Sequence, residues 1–193
     1  MTFSPVEIAT IGVVVPARNE ERRLPRCLAA IATAATALRV GEAETPRLRV
    51  VVVADRCTDA DSAVPVEWLR LQLHHARSGV ELALGTVAPD PQELAAGILA
   101  AWRLRHLVID GHPHVHGANL GIRADTYRAA GGFQDVAAHE DVLLGIAVRA
   151  TGARVISTAA GPVLTSGRTQ GRAPLGMATY LRELEGDQLP LEA

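Results

Sequence analysis

Three aspartates follow a run of apolar residues in "VVVADRCTDADSAVP", at Asp55, Asp59 and Asp61. A carboxylate at the carboxyl end of a buried strand stands where open α/β sheets bind ligands, although the same residue also serves as a turn former. Asp59 and Asp61 form a D-x-D pair. Two carboxylates one residue apart offer oxygens to a hard divalent cation that also holds a diphosphate, or they mark a solvated loop. Further on, "HPHVH" sets His112, His114 and His116 at a spacing of two, hence on one face of an extended chain. Three imidazoles on one face suit a transition metal, and they equally suit a substrate-lining or structural role. Glu140 and Asp141 follow His139 at the start of a helical pattern, where an acid stabilises the amino end and where Asp141 could act as a general base. In "GRTQGR", Arg168 and Arg172 lie in a glycine-containing loop suited either to closing over phosphates or to plain solvation.

Elements of α/β type must position these residues. "IGVVVPA" is a continuous apolar run of the kind buried on both faces of a parallel sheet. Leu24, Cys27, Leu28, Ile31, Ala34, Ala35 and Leu38 recur at three- and four-residue intervals and predict a helix ending near Gly41. "LRVVVVA" is a second buried strand, which makes a parallel strand–helix–strand unit. The pattern continues with a helix over 64–79, a strand over 80–89 and a helix from about Pro91. A kinked strand over 114–123, a short helix stopped by Gly131 and Gly132, and a helix over 140–152 follow. One or two strands precede a tail that ends helically.

Length and composition bound the rest. The 193 residues suffice for one domain over 1–193 that buries roughly 70% of its unfolded surface. A net charge of -2 gives no global basic field for nucleic acid. Two cysteines, Cys27 and Cys57, are too few for a disulfide scaffold and fit a reducing compartment. No apolar run approaches the ~20 residues that span a bilayer, and the first fifteen residues lack the marks of a signal peptide, so a cytoplasmic location is expected. No G-x-G-x-x-G turn follows the first strand, and no Walker-type loop is present.

From Ile11 to about Leu181 these pieces resemble, in the same order, the family 2 glycosyltransferases of GT-A fold. The resemblance implies a single Rossmann-like α/β domain with a central, mainly parallel sheet flanked by helices. It implies sugar transfer with inversion from a nucleoside-diphosphate sugar, a UDP-sugar being favoured, to an acceptor hydroxyl. "VVVPARNEERRLPRCLAAI" is similar to the opening strand and helix, with Pro16, Ala17, Arg18 and Glu20 lining the nucleotide pocket. Asp55 stands where the family reads the nucleobase. Asp61 would bind Mg2+ or Mn2+, with Asp59 orienting the cation or the donor ribose, and Arg168 and Arg172 would close on the diphosphate. "HGANLGIRADTYRAAGGF" is similar to the acceptor-side segment, with His116 and Asn119 on that side, and "HEDVLLGIAVRATGARV" is similar to the E-D helix, which gives Glu140 an acceptor-side place and makes Asp141 the base. The alternative reading is a degenerate, non-catalytic relative that binds or scaffolds. A homo-oligomer is left open.

One departure stands out. In that family the segments resembling "VVVADRCTD" and "TDADSAVP" are separated by about 30 to 40 residues, far more than a short α/β loop. Here they share the letters "CTDADS". An omitted segment, a deletion or a compact variant would each produce this. An omitted segment is favoured, because loss of two parallel strands would expose apolar surface and unpaired backbone groups.

Overall fold

A computed structural model describes residues 7–17, 20–41, 45–53, 59–136, 138–171 and 176–186. The β-branched run near the amino end forms β1 (Thr10–Pro16), paired in parallel with β2 (Arg47–Val53) from Thr10 opposite Arg47 to Pro16 opposite Val53. Between them, α1 (Leu24–Gly41) turns Cys27, Ile31, Ala34 and Leu38 inward at the predicted spacing. Val13 and Val15 meet this stripe, and Leu69 and Leu73 close the core from α2 (Trp68–Arg77). Pro65 precedes α2, and Gly79, at φ +81°, follows it; that positive φ is open to glycine at little steric cost.

A second sheet has the order β4-β3-β5. Its centre is β3 (Leu82–Pro89), which is almost wholly buried. Parallel to it runs β5 (Val155–Thr165), and β4 (Leu120–Ile122) pairs antiparallel on the other side. α3 (Ala96–Arg105) and α6 (Met177–Gly186) share a core with Val87 and Val163 that contains Ile98, Trp102, Leu181 and Leu184. Leu144 and Val148 of α5 (Glu140–Ala150) cover Leu82 and Leu84, with Tyr127 of α4 (Ala124–Ala129) at the margin. The chain is therefore mixed α/β with mainly parallel pairing, its strands distributed over two sheets among the described residues. Ala63 and Leu164 form an antiparallel bridge beyond the second sheet, and Trp68 packs against both major cores. Among the described residues no helix is long and apolar enough to cross a membrane.

Three expectations shift. β1 and β2, expected to be buried on both faces, leave Val14, Val50 and Val51 exposed, because among the described residues α1 and α2 cover the face that carries Val13 and Val15. The helix expected from Pro91 begins at Ala96 and stops at Arg105. The strand expected over 114–123 shrinks to β4, because a 3-10 turn at Gly117–Asn119 interrupts the extended run.

The ladder between β3 and β5 is irregular where Gly85 faces Thr158 but Val87 faces Val163. One residue of β3, Thr86, thus confronts Ala159–Pro162, and such a bulge interrupts the regular pairing. The buried Asn119 repairs it. Its Nδ2 donates to the Thr86 carbonyl at 2.8 Å and to the Gly161 carbonyl at 3.1 Å, while its Oδ1 accepts from the Trp68 indole at 2.9 Å. Gly85 leaves room for this amide, since a Cβ there would lie 2.2 Å from Nδ2. Asn119→Ala would strand two carbonyls and an indole N–H in or near the core. The expected loss is about 2 to 5 kcal/mol in the unfolding free energy measured by urea titration.

Candidate functional site

Both parallel pairs send their carboxyl ends to one place. After β1 comes Glu20, whose carbonyl accepts from the N–H groups of Arg23 and Leu24 at the entry to α1 and whose carboxylate is buried. After β2 comes the 3-10 turn Asp59–Asp61. After β3 come Asp90 and Glu93, and after β5 come Ser166 and Arg168. Convergence of strand ends is where α/β sheets form ligand crevices.

Arg168 joins the groups. Its guanidinium donates two hydrogen bonds to Glu20, at 3.0 and 3.3 Å, and lies 2.9 Å from an Asp61 carboxylate oxygen. The Thr165 hydroxyl approaches the other Asp61 oxygen at 3.4 Å and accepts from Ser62 at 3.0 Å. Burial pushes the Asp61 carboxyl above its ordinary value, opposed by the charge of Arg168 and reinforced by that of Glu20. Burial disfavours the Arg168 cation, yet its bond to Glu20 and the field of Asp61 outweigh this and hold its pKa above the usual range.

A second set of pairs braces the first. Asp90 takes Arg26 at 2.8 Å and the Gln92 N–H at 3.0 Å; the backbone bond, then Arg26, keeps its carboxyl below the ordinary value. Glu93 holds Arg23 at 3.0 Å, the Ser166 hydroxyl at 2.6 Å and the Gly167 N–H at 3.1 Å. Burial alone would raise the Glu93 carboxyl, but Ser166, Arg23 and Gly167 together bring it below the usual range. Only a glycine fits at 167, where a Cβ would stand 2.6 Å from the Asp90 carbonyl. Glu93 thereby fixes the turn that aims Arg168.

The expected site residues divide accordingly. Glu20, Asp61 and Arg168 are brought together, and Ala17 packs at the edge of the first core. Pro16 closes β1 and Asp59 opens the 3-10 turn, but their side chains, together with Arg18, Asp55 and Arg172, lie outside the described residues. So does the "CTDADS" junction up to Thr58. Asp141 stands in the first turn of α5, where its two oxygens accept from the Gly117 N–H and from the Val142 N–H, each at 2.8 Å. Each oxygen retains a lone pair for a further donor. Glu140 shares that turn. Asn119, expected on the acceptor side, is buried, and its amide is taken up by the bulge and the Trp68 indole. Gly117, which Asp141 holds, opens the same 3-10 turn.

His116 belongs to a stack of rings. Trp102 and His106 lie parallel at 3.6 Å between centroids, His106 and His114 at 4.5 Å, and His112, His114 and His116 follow at 5.9 Å intervals. The shared face expected from the spacing survives without a strand. Among the described residues no group of three His, Cys, Asp or Glu side chains is arranged to hold a metal. Sequence reasoning missed Arg23, Arg26, Asp90, Glu93, Thr165 and Ser166. Asp90 follows Pro89 directly, so the strand-end argument that singled out Asp55 applied to it as well.

Compared with known families and with curated proteins, the chain matches no family model and no curated sequence.

Burial, then the neighbouring imidazoles, lowers His116 to about 4, and burial with His114 lowers His106 to about 4. The fold keeps both rings neutral, whereas the unfolded chain binds their protons near pH 6.5. Their contribution is complete above about pH 6.5 and is lost as pH falls towards 4. The urea midpoint should decline across that window, and His116→Gln should make the decline shallower; an unchanged slope would remove His116 as a source.

Proposed function

We propose that the chain is a family 2-like glycosyltransferase, a single GT-A domain that moves a sugar with inversion from a nucleoside-diphosphate sugar, a UDP-sugar being favoured, to an acceptor hydroxyl. The observation that carries the reading is the convergence of Glu20, Asp61, Asp90, Glu93 and Arg168 from four parallel-strand ends onto one cluster of paired charges. A metal diphosphate carries both signs of charge. It can exchange with such pairs on both sides, its phosphates taking guanidinium groups and its cation taking carboxylates.

Asp61 suits Mg2+ or Mn2+. Its carboxylate is buried, and the charge of Arg168 already offsets part of its desolvation. Mg2+ is commonly held by one or two carboxylates together with substrate phosphates. Asp61, with Glu20 beside it, would hold the cation, which supplies neutralisation of charge on the departing diphosphate. Arg168, released from Asp61, turns to the diphosphate with Arg23 and Arg26 nearby. Asp141 takes the proton of the acceptor hydroxyl. The acceptor oxygen bonds to the anomeric carbon as the bond from that carbon to the phosphate oxygen breaks on the opposite face, and the electron pair leaves with the nucleoside diphosphate.

A second reading draws on Arg168 itself. It occupies both Glu20 and Asp61, as expected of a non-catalytic relative in which an internal ion pair replaced a ligand. Sugar transfer from UDP- and GDP-sugars with Mn2+ or Mg2+ separates the two. Wild-type protein should transfer, and Asp141→Asn should lower turnover by about 10²- to 10⁴-fold with donor affinity nearly intact. Wild-type turnover by Asp141→Asn removes that residue from the mechanism, and absence of any donor binding favours the scaffold.

A further inference from the structure

The segment that follows α3 is held chiefly by its imidazoles. His106 stacks on Trp102 at 3.6 Å and meets His114 at 4.5 Å and His116 at 6.1 Å, while His114 lies 5.9 Å from both His112 and His116. Neutral rings at these separations attract, whereas protonated neighbours repel. Little else fastens the segment. Leu107, Val108, Ile109, Asp110 and Gly111 are exposed, and Val115 is only partly buried against Leu82, Leu84, Leu144 and Val148. The Gly111 N–H donates to the Ser157 carbonyl at 3.0 Å, and the Asp110 carboxylate accepts from the Ala159 N–H at 2.8 Å. His112 is buried, and among the described residues neither of its ring nitrogens finds a hydrogen-bond partner, so opening returns both to water. A segment with few apolar contacts and an unsatisfied buried ring opens at a lower cost than the core around it.

The surrounding charges act in the same direction. At His106, burial and then His114 disfavour a proton; the Trp102 carbonyl, 3.3 Å from Nδ1, favours one, and Arg105 of α3 opposes it. Burial followed by His106, His114 and His112 acts on His116, and burial followed by His112 acts on His114. α6 brings the Tyr180 ring to 5.4 Å from His106. The acid within the segment is Asp110, which acts on His112 and on His75 of α2. At the start of α5, Asp141 accepts from the Gly117 backbone. We propose that residues 106–116 form an acid-released strap, closed while the stacked rings are neutral and opened when two or more of its histidines take protons together. His116 immediately precedes Gly117, so opening withdraws the N–H that Gly117 donates to Asp141. Acidity is thereby coupled to the setting of Asp141, and the coupling does not rest on sugar transfer.

An opened strap binds protons near pH 6.5, whereas the closed one binds them near pH 4 at His106 and His116. Acid therefore favours opening. Between pH 7.5 and 5 the open-to-closed ratio should rise about 30-fold for each of these two rings, or close to 10³-fold for both. Histidine-ring NMR on the full chain, without metal or donor, tests this. The His106, His114 and His116 rings and the Gly117 amide should shift at one shared midpoint with a Hill coefficient of about 2, while the amide signals of β1 and β3 keep their folded positions. His114→Phe keeps a ring in the stack and removes a titrating group. With its fold checked by the urea midpoint at pH 7.5, this variant should show a lower coefficient and a midpoint at lower pH; where it loses stability, the wild-type curves decide alone. Separate one-proton curves for the three rings overturn the proposal, as does a Gly117 amide that ignores the transition. Loss of the β1 and β3 signals at the same midpoint also overturns it, because the event is then global unfolding, and so does a folded His114→Phe variant that titrates as the wild type does.

Discussion

Arg168 is the contact on which the arrangement depends. It arrives from beyond β5 and pairs with Glu20 beyond β1 and Asp61 beyond β2, so one guanidinium spans both sheets. Glu20 is buried, Asp61 is nearly so, and the like charge of Glu20 raises the cost of ionising Asp61. Two such carboxylates stay together only with a cation between them. Removing that cation leaves buried charge uncompensated, which costs far more than a surface ion pair contributes.

Everything around Arg168 serves to aim it. Glu93 gathers the Ser166 hydroxyl and the Gly167 N–H, the Arg168 N–H reaches the Ser166 oxygen at 3.2 Å, and Gly167 lets the chain pass close to the Asp90 carbonyl. The Asp90 N–H donates to the Thr165 carbonyl at 2.7 Å and extends the pairing past the formal strand ends. A parallel logic holds the Asp141 side. Asn119 closes the bulge between β3 and β5, receives the Trp68 indole, and so fixes the turn whose Gly117 N–H Asp141 accepts. Since α2 carries Trp68 and begins seven residues after Asp61, both carboxylates are referenced to the same helix.

Much of the fold was legible because periodicity reports burial. The three- and four-residue spacing of α1 and the continuous apolar run of β3 match the burial found, whereas β1 and β2, expected to be buried on both faces, leave Val14, Val50 and Val51 exposed. The distribution of strands over two sheets was not legible, because partners in a sheet are chosen by long-range packing that no local pattern encodes. The bulge was equally hidden. It depends on Asn119 reaching across to Thr86 and Gly161, and in the sequence Asn119 looks like any polar loop residue. Of the cluster, Asp61 was singled out by its D-x-D spacing, Arg168 by its glycine-containing loop, and Glu20 by the resemblance. Asp90 was open to the same strand-end argument as Asp55 but was not taken up, whereas Glu93, Arg23 and Arg26 acquire meaning only once their partners are placed.

The most direct measurement is a calorimetric titration of UDP into the protein with and without Mn2+, repeated on Arg168→Met with the fold checked by its unfolding curve. If the charged cluster exchanges its internal pairs for a metal diphosphate, the wild-type protein binds UDP only when Mn2+ is present, and Arg168→Met weakens that binding at least tenfold. UDP binding that ignores both Mn2+ and Arg168, or no binding at all by the folded wild-type chain, would contradict the account.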